Sequence, residues 1–192
     1  NTVEPTPYEL FYQFESETTA TSTTSNWSPS NNWVNGSSAV NGTYWGRVSN
    51  KTVKGWNLDT GTTPSSGSGT GPNDGVDVSD GSHASNTKYM YTEVSSSRHT
   101  RCFVARMPLF NSSNMLDSGN DLDLKFWVHA FGTAGTLPDL FVYIDTNTSS
   151  NHGTATLLQT FLGNDLDNDY TGNSSVWKLK TVSLNSYRTV DA

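Results

Sequence analysis

Cysteine is almost absent from this 192-residue chain. Cys102 stands alone, so no intrachain disulfide can form. In the apolar run Cys102-Phe-Val-Ala105 it reads as an inert core thiol. Cations are scarce as well: 11 Lys and Arg face 18 Asp and Glu, for a formal net charge of −7. With no Lys/Arg cluster the chain lacks the usual grip on a phosphate backbone, so nucleic acid and anionic membranes are not expected partners. No apolar stretch reaches the roughly 20 residues that a membrane-spanning helix needs.

Helix signals are missing too. No window of about 11 residues carries apolar positions at i, i+3, i+4 and i+7, and Ala, Glu and Lys are sparse. The usual marks of catalysis are equally thin. His83, His99, His129 and His152 include no His-x-x-x-His spacing. No Gly-x-Ser-x-Gly element occurs. Four of the five glutamates (Glu4, Glu9, Glu15, Glu17) lie near the N-terminus and Glu93 is isolated on an expected strand, so no carboxylate pair across a cleft is legible. A non-enzymatic chain is expected.

What fills the chain is uncharged and polar. Only 15% of residues are charged and 33% are hydrophobic, yet aromatics reach 11%. Disorder needs few aromatics and high charge, so this composition describes a folded, loop-rich β protein instead. The length fits one domain over residues 1–192.

Short apolar or alternating runs separated by Gly, Asn, Ser and Asp recur along the sequence. In Asp121 to Phe131, Leu122, Leu124, Phe126, Val128 and Ala130 fall on one face at period two. Asp121, Asp123, Lys125, Trp127 and His129 fall on the other, which turns from charged to aromatic along the strand. Leu140–Ile144 is continuous enough to be buried on both faces. Tyr89–Val94 and Cys102–Ala105 are shorter candidates, and Leu10–Glu15 reads as a first strand. In Trp177–Leu184 the apolar parity shifts between Leu179 and Val182, which predicts a bulge. Ser16–Ser30 and Gly61–Ser85 read as loops, the second long enough to be functional or strapped to the body. The expected fold is all-β, an antiparallel β-sandwich or jelly roll.

Asn1 in place of Met fits the mature end of an exported chain. Seven Asn-X-Ser/Thr sequons, at Asn26, Asn35, Asn41, Asn50, Asn111, Asn147 and Asn173, permit glycosylation without requiring it. Asp165-Leu-Asp-Asn-Asp169 alternates oxygens as a calcium loop does, but Tyr170 and Val176 stand where an EF-hand needs Gly and Glu. It reads as a polar turn.

The order of several motifs resembles the MAM domain, the module shared by meprin, A5 antigen and receptor tyrosine phosphatase mu. The elements are Tyr12-Gln-Phe-Glu15, Trp27 with Trp33, Thr70-Gly-Pro-Asn-Asp74, Tyr89-Met-Tyr-Thr-Glu93 and Ala105-Arg-Met-Pro108. Leu124-Lys-Phe-Trp-Val-His-Ala-Phe-Gly132, Gly135-Thr-Leu137, the Leu140–Ile144 run and Trp177 complete the set. Tyr12 and Asp123 occupy two places where the family carries cysteines, so this is similar to a divergent member. The resemblance implies a β-sandwich of jelly-roll, concanavalin-like type and an extracellular adhesion role, secreted or at a cell or virion surface. It also implies Ca2+ held by Glu15 and Asp74, with Asp77 as substitute ligand. The family's closing strand has no counterpart at Val190-Asp-Ala192, which implies a fragment or a strand supplied by another chain.

Three functional expectations follow. The first is a module recognising a protein partner. The second is a structural subunit of a filament or virion built by contacts with neighbouring subunits. The third is a carbohydrate-binding module, with Trp27, Trp33, Trp45 and Trp56 as a surface for glycans.

Overall fold

The computed structural model describes residues 12, 14–20, 27–30, 32–36, 52–60, 72, 75–77, 79–92, 101–110, 121–130, 137–146, 155–166 and 177–188. These residues form an all-β fold. In chain order the strands are β1 (Val34–Asn35), β2 (Thr52–Lys54), β3 (Asn57–Thr60), β4 (Gly75–Val76), β5 (His83–Ala84) and β6 (Lys88–Tyr91). They continue with β7 (Arg101–Phe103), β8 (Ala105–Arg106), β9 (Asp123–Val128), β10 (Leu140–Ile144) and β11 (Thr156–Phe161). A single helical turn, α1 (Gly163–Leu166), precedes β12 (Lys178–Ser183), and a 3-10 turn covers Asn185–Tyr187.

The ladders group as β1–β8, β2–β7, β3–β6, β4–β5, β9–β12 and β10–β11, each two-stranded among the described residues. Five pairs are antiparallel as expected, but β2 and β7 run parallel. Val104 explains how one extended stretch serves two partners. Its amide donates to Lys54 O at 2.9 Å and its carbonyl accepts from Gly36 N at 2.9 Å. The chain therefore leans on β2 before Val104 and on β1 after it.

The alternation expected of Asp121–Phe131 is present in β9. Leu122 and Leu124 pack against buried Ile144 and Leu184, together with Phe110, Leu158 and Tyr187. Trp127, one residue out of phase, joins Tyr89, Tyr91, Trp177 and Val76 on the opposite side. Lys125 remains exposed on that second face. One strand thus supplies both apolar clusters because its side chains alternate.

Four expectations are corrected. The bulge foreseen between Leu179 and Val182 is absent: β12 pairs with β9 in unbroken register from Lys178↔Val128 to Ser183↔Asp123. The parity conflict is resolved by turning Lys180 inward and Leu179 outward, where Leu179 keeps 47% of its surface exposed. Lys180 tolerates this because its Nζ lies 5.6 Å from the Phe161 ring centre and donates to Asp165 O at 3.1 Å. The irregularity falls instead between Val142 and Tyr143, where β10 slips against β11.

Leu140–Ile144 is not buried on both faces either, since Ile144 is its one buried residue. The described part of Leu10–Glu15 is no strand; Glu17 N donates to Phe14 O at 3.0 Å and closes a turn over Glu15 and Ser16. Cys102 is half-buried rather than a core residue. Within the long Gly61–Ser85 segment, β4 and β5 form a hairpin tied to the body through Gly75 N and Thr87 O.

Candidate functional site

Near the chain start, aromatic residues drive local structure where no ladder does. Phe14 meets Trp27 and Trp33 edge-on with ring centres 5.4 Å apart, and Tyr12 meets Trp33 at 5.9 Å. Edge-to-face packing of this kind adds to the area that each ring buries. Trp27 is 2% exposed, and its plane is tilted 51° from that of Trp33. These two rings therefore offer no flat, open platform of the sort a sugar would stack on. Trp45 lies outside the described residues. The Trp33 Nε1 atom is enclosed and has no hydrogen-bond partner among the described residues.

Glu17 sits under this cluster at 3% exposure. Its carboxylate accepts from Trp27 Nε1 at 3.1 Å, from Ser30 Oγ at 2.8 Å and from Ser30 N at 3.0 Å. Burial pushes its pKa up. The Ser30 hydroxyl and amide, the Trp27 indole and the charge of Lys88 together pull harder, and the pKa ends below its ordinary value. A buried carboxylate met only by donors is held as the anion. The Ser/Thr-rich surroundings of Glu17 gave no sequence signal for this role.

Asn35 performs the matching task on the other side of Trp27. Its Nδ2 donates to Trp27 O and Trp56 O, both at 2.8 Å, while its Oδ1 accepts from Trp56 N at 2.8 Å. A glycan would have to be attached to this same Nδ2, so the Asn35 sequon is occupied by the fold. The remaining sequon asparagines lie outside the described residues.

The expected metal ligands are only partly visible. Glu15 Oε1 accepts from Lys88 N at 2.9 Å, and the Lys88 ammonium donates to the Glu15 carbonyl. Gly75, which follows Asp74 in sequence, donates to Thr87 O at 3.3 Å. Thr87 C=O and Lys88 N–H belong to one trans peptide unit and point to opposite edges of it. Glu15 and Gly75 thus approach the start of β6 from opposite edges. Asp74 itself lies outside the described residues. Asp77 Oδ1 is engaged by Ser79, accepting from Oγ at 2.6 Å and from N at 2.8 Å, and these bonds hold its pKa below the ordinary value. Among the described residues no trio of His, Cys, Asp or Glu gathers at a point fit for a metal.

A cavity of about 330 Å³ opens beside β1 and β8, lined by Asn32, Arg106, Met107, Pro108 and Leu109. That volume lies at the lower end of the range of small-ligand sites. Arg106 is placed by its pairing with Val34, and Asn32 takes a left-handed backbone at φ 65°. Leu109 presents 61% of its surface to solvent. Among the described residues the lining offers a guanidinium, an amide, a thioether and aliphatic carbon, with no carboxylate, imidazole, thiol or hydroxyl. Such a set can hold an apolar side chain and hydrogen-bond to carbonyl or carboxylate oxygen.

Asn185 was another residue without a sequence signal. Its Oδ1 accepts from Leu122 N at 2.8 Å and from Arg188 Nε at 3.1 Å, and its Nδ2 donates to Asp121 Oδ1 at 2.8 Å. Residues 185–188 are therefore folded back on the start of β9 rather than extended towards a neighbour. The last four positions lie outside the described residues.

No family model, curated protein or solved structure matches the chain.

Proposed function

We propose that this chain is a non-catalytic recognition module of a secreted or cell-surface assembly, and that it binds an extended segment of a protein partner. The cavity between Asn32 and Leu109 carries the reading. Exposed Leu109 and half-buried Met107 suit an aliphatic side chain of the partner, and the Asn32 amide suits its backbone carbonyls. The resemblance of the motif order to that of MAM domains supports the same reading, and the extracellular setting rests on it. Calcium between Glu15 and Asp74 belongs to the proposal. Asp77, whose Oδ1 accepts from Ser79, stays in it as the substitute ligand.

The test is selection from a displayed peptide library with the unaltered chain and with Leu109→Ser, a change at an exposed position that leaves folding nearly untouched. Peptides retained by the first and lost by the second support the reading. Retention of glycans in place of peptides would instead favour a carbohydrate-binding module. Assembly into a defined oligomer in solution would favour a structural subunit.

A further inference from the structure

We infer that Asn35-Gly36 is a deamidation site which the folded chain keeps closed and which any opening of β1 exposes, with loss of the native state as the consequence. An Asn-Gly bond is chemically the most prone to this change, because glycine places no side chain in the path of its own nitrogen. The Gly36 amide nitrogen attacks Asn35 Cγ, forming the N–Cγ bond of a succinimide. The Cγ–Nδ2 bond breaks, and ammonia leaves with the proton released from Gly36 N. Water then opens the ring at either carbonyl, giving an aspartate or an isoaspartate at this position.

Every atom this sequence requires is engaged in the fold. Gly36 N–H, the nucleophile, donates to Val104 O at 2.9 Å and sits on a buried residue. Nδ2, the leaving group, is bonded to both Trp27 O and Trp56 O. Oδ1 is bonded to Trp56 N. The carboxamide is also wedged against Gly55, where an added Cβ would lie 2.8 Å from it. Rotation of the side chain into line with Gly36 N breaks three hydrogen bonds at once, and freeing the nucleophile breaks a fourth.

The product does not fit the same place. An oxygen in place of Nδ2 would face the Trp27 and Trp56 carbonyl oxygens at a separation where only a donor is tolerated. An isoaspartate adds a main-chain carbon between Val34 and Gly36, and so breaks the Val34↔Arg106 and Asn35↔Ala105 register. Opening is thus reversible only until the ring closes. The site couples local unfolding to a permanent covalent mark.

The experiment incubates the intact chain at mildly basic pH, once folded and once in guanidinium chloride, and maps peptides by mass with isoaspartate separated chromatographically. Asn41-Gly42 in the denatured sample supplies the rate of an unprotected Asn-Gly bond. Position 35 is expected to convert in the denatured sample at that reference rate, and at least about tenfold more slowly in the folded one. Chains converted at position 35 are expected to stay unfolded when the denaturant is diluted away. Equal rates in the two samples, or converted chains that regain native hydrogen-exchange protection, would overturn the inference.

Discussion

Glu17 and Trp27, ten positions apart in the chain, are joined by a 3.1 Å hydrogen bond from the indole nitrogen to the buried carboxylate. Ser30 completes the set from the same side with its hydroxyl and its amide. Replacing Glu17 by Ala strands those donors, at about 1–3 kcal/mol for each that stays buried. Chemical denaturation of Glu17→Ala is expected to give a loss of about 3 kcal/mol. Ser30→Ala, which removes one donor and keeps the amide, is expected to cost about 1 kcal/mol.

The same carboxylate gives stability an acid limit. Its pKa in the folded chain lies below the ordinary value of 4.5. The unfolded chain therefore binds the proton more tightly, and the contribution is fully present above about pH 4.5 and fades as pH falls through the folded value. Glu17→Gln removes this titration. Melting temperatures below pH 4.5 are expected to fall less steeply for that variant than for the unaltered chain, and parallel curves would count against the assignment.

Gly81 holds the β4–β5 hairpin against Trp127. Its φ of +81° and the 2.4 Å that would separate an added Cβ from Trp127 Cζ3 both oppose any side chain. Gly81 O also accepts from Trp177 N at 3.2 Å, so displacement would spread into the Tyr89–Trp177 contact. Gly81→Ala is expected to lose about 2 kcal/mol or more in a denaturation curve. A neutral result would mean that the hairpin does not rest on Trp127.

Asn185 fastens the described end of the chain to the start of β9, so Asn185→Ala should release the turn without unfolding the sheets. A loss of about 1 kcal/mol is expected, with faster hydrogen exchange at Leu122 and at residues 185–188. Unchanged exchange at Leu122 would contradict this.

Calcium in excess is expected to raise the melting temperature of the unaltered chain. The rise should be lost in Asp74→Asn and kept in Asp77→Asn, whose amide oxygen can still accept from Ser79; the reverse would make Asp77 the ligand. No rise in the unaltered chain removes calcium from the account.

How much of this was legible in the sequence follows from which interactions have a period. β9 was readable residue by residue because alternation alone places Leu124 and Trp127 on opposite faces, and both apolar clusters confirm it. β10 was placed at its observed bounds, yet its burial was overstated because a continuous apolar run does not report how much covers it. β11 escaped notice: Leu157 is exposed and Leu158 packs inward, so its apolar pair does not alternate. β12 misled for a different reason, since half-buried Lys180 lies over the Phe161 ring and periodicity counts lysine as outward. At the candidate site, Asn35 read as a sequon and Glu17 as one more polar loop residue. Their roles rest on partners brought together by the fold, which no local spacing encodes. The residues lining the cavity come from Asn32 and from Arg106–Leu109, and nothing in either segment announces the other.

The most direct test of the recognition reading is a calorimetric titration of a peptide selected by the unaltered chain into that chain and into Leu109→Ser. The account predicts a 1:1 complex whose affinity falls by at least about tenfold in the variant, the scale of one buried aliphatic contact. Equal affinity for both proteins would place recognition elsewhere, and no binding by either would contradict the proposal itself.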